Sequence, residues 1–274
     1  MVSPYPINKR SLSIGFRLLI ALLLFFSPSV ILAQFPPFAI VGDTHVGYAG
    51  SAYEAFITAI ERQGIGIIIH LGDAIDRAGR AGQWAEFQRI TGSGKTLYLI
   101  PGNHDVDSDR TLATYSTLFG KSYYSVSEGD TLFIMLNTEI PGERSEVAGV
   151  QFEWLEGELK RPFKYKFVFL HEPPFPFFPG HGLDRHRNAR DRLHEMFVRS
   201  GVSLVVSGHD HVYHRSTRDG ISYVIASGGG GKRYLSASNS AFLHYVIGTR
   251  TDKGYSFVVK DMEGEARDAF TIAR

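Results

Sequence analysis

The chain has 274 residues, 43% hydrophobic and 21% charged, with a formal net charge of +1. That composition suits one well-buried α/β domain or two small ones and excludes a disordered tail. A near-neutral balance gives no support for a dedicated nucleic-acid binder, and the absence of cysteine excludes disulfides and thiolate-bound metals.

The N-terminus stands apart. Lys9, Arg10 and Arg17 precede the apolar run Leu18–Phe26, and Ser-Pro-Ser-Val-Ile-Leu-Ala runs up to Ala33. A basic stretch, an apolar stretch and a small residue in that order read as a secretory signal peptide over residues 1–33, although Ile31 stands where a small residue is usual. The alternative is a retained anchor, for which Leu18–Ala33 is short against the roughly 20 residues that span a bilayer. The expectation is an exported domain, periplasmic or secreted, over residues 34–274. Membrane contact is expected only if the N-terminal segment is retained.

The elements then follow in order. Phe38–Val41 is a short apolar run ending in GDTH, and Ala52–Arg62 carries apolar residues at helical spacing. Ile65–Leu71 is rich in β-branched residues and ends in GD. Gln83–Ile90 reads as a helix, Thr96–Ile100 as a strand ending in PGNHD, and Leu112–Phe119 as a helix. Tyr123–Val126 and Thr131–Leu136 predict a hairpin across Glu128-Gly129-Asp130. Val150–Leu159 is a predicted helix, Lys166–Leu170 a strand ending in HEPP, Arg187–Arg199 a helix, and Val202–Val206 a strand ending in SGHDH. Strand-like runs follow at Ile221–Ala226, Leu243–Gly248, Tyr255–Lys260 and Ala269–Ile272. Alternating helices and continuously apolar strands argue an α/β core with both sheet faces covered. Four of the seven residues of Pro173–Pro179 are proline, so this segment is predicted as a stiff extended loop presenting Phe175, Phe177 and Phe178.

Every early strand ends in residues able to bind a metal: GDTH, LGD, GNHD, LHE and GHDH. In open α/β sheets the ligand site lies beyond the carboxyl ends of the strands. Convergence of these five ends would gather Asp43, His45, Asp73, Asn103, His171, His209 and His211 in one cleft. Asp43/His45 and His209/His211 are i, i+2 pairs, which in an extended segment face the same side. Seven oxygen and nitrogen donors exceed the need of one ion and suit two ions sharing a carboxylate, Asp73 being the natural bridge. Burying so many His and Asp together without cations would be costly. Taken alone each cluster could be a turn; in conjunction, each after an apolar run, they point to a metal site.

The ordered set resembles the calcineurin-like metallophosphoesterase family, whose pattern is DxH, GDxxD, GNHD, a lone His and GHxH. Here it is carried by Gly42-Asp43-Thr44-His45, Gly72-Asp73-Ala74-Ile75-Asp76, Gly102-Asn103-His104-Asp105, His171 and Gly208-His209-Asp210-His211. The resemblance implies a four-layer α/β/β/α sandwich, two mixed sheets flanked by helices. It implies two divalent metal ions (Mn, Fe, Zn or Co): one on Asp43, His45, Asp73 and His211, the other on Asp73, Asn103, His171 and His209. His104 would face the substrate as a catalytic residue, with Asp105 hydrogen-bonded to its imidazole. The purple acid phosphatase branch carries a Tyr ligand three residues after the bridging Asp; Asp76 stands there, so an iron–tyrosinate site is not expected.

The implied function is hydrolysis of phosphate mono- or diesters by a metal-bridged hydroxide, with a small-molecule phosphate ester as substrate. The alternative is a catalytically silent metal-binding or interaction protein of the same fold, possible also as a membrane-anchored form. Several other segments have a plainer reading. Gly92-Ser93-Gly94-Lys95-Thr96 lacks the first Gly of a P-loop, Arg89 standing in its place, and precedes a strand, so it reads as a loop. Arg185, His186, Arg187, Arg190 and Arg192 read as a solvated helix start rather than a phosphate contact. His181 is a candidate substrate contact in a nearby loop. Gly228–Gly231 is either a flexible turn or a point where backbone approaches the cleft.

Overall fold

The computed structural model describes residues 35–232, 234, 235 and 240–273. The predicted signal peptide or anchor lies outside the described residues. Residues 34–274 form one compact unit. Among the described residues no helix is long and apolar enough to cross a membrane.

Among the described residues twelve strands form two six-stranded sheets. The first has the order β12-β11-β10-β1-β2-β3, comprising β1 (Phe38–Val41), β2 (Ile67–His70), β3 (Thr96–Leu99), β10 (His244–Thr251), β11 (Gly254–Asp261) and β12 (Ala266–Ala273). The second has the order β4-β5-β6-β7-β9-β8, comprising β4 (Tyr124–Glu128), β5 (Thr131–Met135), β6 (Tyr165–Leu170), β7 (Leu204–Ser207), β8 (Tyr213–Arg218) and β9 (Ile221–Ala226). Both sheets are mixed: β1-β2-β3 and β5-β6-β7-β9 are parallel, and the remaining pairings antiparallel.

Side-chain alternation builds the layers. Phe38 and Ile40 join Phe133, Phe167, Phe169, Leu204 and Val206 in a core between the sheets. Ala39, Val41 and Ile68, on the opposite face, pack with helices α1 (Tyr53–Glu61), α2 (Ala81–Thr91) and α3 (Asp109–Phe119). Ile134, Val168 and Val205 do the same for α4 (Gly149–Leu159) and α5 (Arg187–Arg199) on the other side. Helix, sheet, sheet, helix is the four-layer sandwich expected.

Each buried parallel strand thus has two apolar faces, which is why it reads as an unbroken apolar run. The residues just beyond its carboxyl end turn polar, and they carry the candidate ligands. The hairpin β4–β5 turns through Gly129, at φ 54°, and Asp130, with Glu128 paired to Thr131. The missing strand of the sequence reading is β8, YHRSTR, an edge strand whose residues are exposed or half-buried and so carry no apolar pattern. The turn leading out of it, Asp219 (φ 47°) and Gly220 (φ 78°), is the detectable signal.

Candidate metal centre

Five strand ends from two sheets converge. The loops after β1 and β2 are laced together: Asp43 N donates to Gly72 O (3.0 Å) and His45 N to Asp73 O (2.9 Å). Gly208 N, after β7, donates to His171 O at the end of β6 (3.0 Å). The sheets are joined by His209 N, which donates to both carboxylate oxygens of Asp43 at 2.9 and 3.0 Å. Glycines allow the close approach. A Cβ on Gly102 would sit 2.2 Å from Asp73 Oδ1, and one on Gly231 2.6 Å from His211 Cε1. Gly229 N and Gly231 N donate to Gly42 O and Asp43 O, so the Gly228–Gly231 run is a backbone approach to the cleft.

Backbone strain marks the same residues. Among the described residues seven non-glycine residues have positive φ, and five of them are Asp43, His45, Asp73, His209 and His211. Left-handed backbone costs a non-glycine residue of order 1–3 kcal/mol, so its concentration on these side chains points to function.

The side chains form two sets. His45 Nε2 lies 3.3 Å from His211 Nε2 and 3.5 Å from Asp73 Oδ2, and His211 Nε2 lies 3.4 Å from Asp43 Oδ1. In the other set, His171 Nε2 lies 3.4 Å from Asp73 Oδ1, 3.1 Å from Asn103 Oδ1 and 3.1 Å from His209 Nδ1. Two donors each about 2.1 Å from one tetrahedral ion stand roughly 3.4 Å apart, so both sets have the spacing of a coordination shell. Asp73 offers one oxygen to each. The imidazoles are held from behind: Nδ1 of His171 meets Leu71 O at 2.8 Å, and Nδ1 of His211 meets Lys232 O. An Nδ1–H donated to a carbonyl leaves the Nε2 lone pair for the cleft.

The electrostatics follow from burial among opposite charges. Burial alone would raise Asp43, but the hydrogen bond and charge of His211, with His171 and His45, hold its carboxyl well below the usual range. His171 is opposed by burial yet pushed up to about 9 by Asp73, Asp43 and Glu139. His209 goes well below its ordinary value through burial and the charges of His171 and His181. Protons and cations therefore compete for the same nitrogens.

His104 and Asp105 differ from expectation. Nδ1 of His104 meets the carbonyl oxygen of Asp76 at 2.6 Å, and that contact orients the ring. Asp105 does not hold the imidazole. Its buried carboxylate accepts from Gly102 N, Ala74 N and Ile75 N at 2.9–3.2 Å, fastening the GNHD turn to the turn after β2. Consecutive residues of a tight turn diverge, so adjacency in sequence did not become contact. Burial and the charge of Asp73 push Asp105 up to about 7. His104 N donates to Asp73 Oδ1 (2.8 Å), a backbone contact at the bridging position.

A cavity of about 280 Å³ adjoins Asn103 and His209 and is lined also by Glu139, Arg144, Ser145, Glu172, His181, Arg185 and Tyr234. His181, the predicted contact, stands there with Nδ1 2.7 Å from Asp210 Oδ1 and its ring stacked on His209 at 4.2 Å. Arg185 is exposed, as the solvated reading of the basic run expects, and also lines this cavity; Arg190 and Arg192 lie over Phe175 and Phe152. Glu139 and Glu172 are buried, and burial with the charge of Glu172 pushes Glu139 up to about 8. Sequence reasoning assigned no role to Glu139, Arg144, Ser145, Glu172 or Tyr234. No motif spacing carries them; only Glu172, next to His171, had a positional signal. Lys95 of the P-loop-like segment is paired with Glu61 at 2.6 Å, as befits a plain loop.

Two packed mixed sheets that bring seven buried or half-buried O and N donors to their joined strand ends define a metallophosphoesterase-type scaffold. Residues 36–213 match the family model described as calcineurin-like phosphoesterase, and the chain belongs to that family. Among curated relatives it is similar to serine/threonine-protein phosphatase CPPED1 of cattle (Bos taurus), 29% identical over 55% of this chain and 53% of that protein. The match thus spans about half the length of that relative. Among solved structures it shares its fold with a purple acid phosphatase from yellow lupin (Lupinus luteus), with TM-score 0.70, 18% identity, and coverage of 87% of this chain and 53% of that one. It shares it also with a dimetal phosphatase from Danio rerio, with TM-score 0.63, 14% identity, and coverage of 88% and 99%.

Proposed function

We propose that this protein is a dinuclear metal-dependent phosphohydrolase acting on phosphate mono- or diesters. The observation that carries the reading is the division of Asp73 between two donor sets, Oδ2 beside His45 and Oδ1 beside His171. Asp43, His45, Asp73 and His211 would hold one divalent cation, and Asp73, Asn103, His171 and His209 a second. The all-N/O donor set suits Mn, Fe or Zn. Such cations supply a nucleophile from water at neutral pH and neutralise phosphate charge. The relatives described as phosphatases, one of them as a dimetal phosphatase, support the same reading.

The chain's own residues do the rest. His104 donates Nδ1–H to the Asp76 carbonyl, so its Nε2 gives a proton to a departing alkoxide from the doubly protonated imidazolium form of the ring. Asp105 keeps Asn103 and His104 in place through three backbone hydrogen bonds. Asp76 stands at the position of the purple-branch Tyr, its Oδ1 3.9 Å from His45 Nδ1, and supplies no phenolate. Export remains part of the proposal and rests on the N-terminal sequence.

The test is hydrolysis of a chromogenic phosphate monoester and the matching diester, with added Mn, Zn or Fe. Activity is expected to need the metal and to fall at least about 100-fold in Asp73→Asn, together with metal content. A folded, metal-loaded protein inert on a broad panel of phosphate esters would instead establish the silent metal-binding alternative.

A further inference from the structure

The cavity beside Asn103 and His209 lies where the non-reacting part of a substrate would sit, and its lining is polar almost throughout. Glu172 is 2% exposed. Its Oε1 accepts from Ser145 Oγ at 3.0 Å, whereas its Oε2 has no hydrogen-bond partner among the described residues. A buried carboxylate oxygen without a partner is costly, so the site is built to receive a donor. A second phosphate, fully ionised, offers only acceptors and would oppose Glu172. An ammonium would meet the guanidiniums of Arg144 and Arg185, which line the same space. A hydroxyl meets both demands: its O–H donates to Glu172 Oε2 while its oxygen accepts from an arginine.

The position is prepared by the backbone as well. Ser145 holds φ at 57°, one of the two strained non-glycine residues outside the candidate ligands among the described residues. Its hydroxyl donates to Glu172 and accepts from Arg185 Nη1 at 3.3 Å. Arg185 is fixed in turn by Nε donating to Gly180 O (2.9 Å), and Arg144 by Nη2 donating to Val106 O (3.2 Å). Carboxyl and guanidinium groups are therefore set in place before a ligand arrives.

We infer that this cavity selects a polyhydroxylated leaving group, so that the preferred substrates are phosphate esters of sugars or polyols rather than of aryl alcohols or peptides. Glu172, Ser145, Arg144 and Arg185 are the specificity-determining residues. The inference rests on the proposed phosphohydrolase reading, and it is tested by binding so that the two can fail separately.

Non-hydrolysable phosphonates serve as probes: a hexitol phosphonate, phenylphosphonate and a phosphonate analogue of a phosphoserine peptide. Each is titrated calorimetrically into the metal-loaded full chain. The hexitol compound is expected to bind at least about tenfold more tightly than either competitor, a difference of about 1.4 kcal/mol. In Glu172→Gln, and in Arg144→Ala at an exposed position, that selectivity ratio is expected to shrink severalfold, with metal content retained. Equal or tighter binding of phenylphosphonate or the peptide analogue, or an unchanged ratio in both folded variants, overturns the inference. Selective hexitol binding by a protein that hydrolyses no ester upholds the cavity's selectivity for a polyhydroxylated group and removes the phosphohydrolase reading instead.

Discussion

His104 and Asp105 are neighbours in sequence with separate tasks. His104 is half-buried and meets the rim of the cleft, while Asp105 is buried beneath it. His104→Ala is expected to lower kcat by about 100- to 10,000-fold while leaving bound metal unchanged, as loss of a proton donor requires. Asp105→Asn turns one acceptor toward backbone N–H groups as a donor. It is expected to cost about 1–3 kcal/mol of stability and to reduce metal content, since Asn103 shares the turn. Metal analysis beside steady-state rates separates the two roles. Equal metal loss in both variants would show that His104 too is a structural residue.

At the scale of elements, helix α3 shows how local sequence steadies a site it does not touch. Ser108 caps it: its hydroxyl accepts from Thr111 N, while Thr111 Oγ1 accepts from Ser108 N at 3.0 Å. Only Val106, Asp107 and Ser108 separate the helix from GNHD, so its first turn limits how far that loop can stray. Ser108→Ala is expected to cost about 1 kcal/mol in urea unfolding. Because the strand ends are laced by backbone hydrogen bonds, metal content should not change. A fall in metal content equal to that of Asp105→Asn would mean that the cap, not the lacing, positions Asn103. The β-strands behave differently. The four-residue β1 and β2 hold their register between neighbours on both sides and would have no reason to persist alone.

Across the whole molecule, buried imidazoles set the acid limit of stability. Burial lowers His70 to about 3 and His244 to about 4, from an ordinary value of 6.5. In the unfolded chain both take up protons near 6.5, while the folded protein keeps them neutral to much lower pH. The unfolded state then binds more protons, so stability is full above about pH 6.5 and falls as pH drops toward 4. Each such histidine contributes a slope of up to about 1.4 kcal/mol per pH unit. His244, whose Nδ1 donates to Phe242 O at 2.8 Å, lies outside the metal centre and is the cleaner probe. His244→Gln should reduce the slope of unfolding free energy between pH 4.5 and 6 by roughly that amount, read by urea denaturation at several pH values. An unchanged slope would show that other groups govern acid unfolding.

The strands, helices and most of the centre were legible in the sequence because their signals are local. An apolar run covered on two faces needs no partner to be recognised, and DxH, GD, GNHD and GHxH mark where each run stops. Family and four-layer architecture followed from the order of those motifs. Contacts that depend on how turns lie against one another were not local. Adjacency suggested that Asp105 held His104, yet the fold turned its carboxylate onto the loop after β2. The edge strand β8 carried no apolar face, so in the sequence only the Asp219-Gly220 turn after it marks it, and its pairing with β9 reveals it. Glu139 and Ser145 come from the loop after β5, Glu172 and Arg185 from the connection after β6, and only the packing of the two makes a cavity. Ligand identity is written in short spacings that survive without the fold; the pocket for the rest of a substrate exists only once distant loops have met.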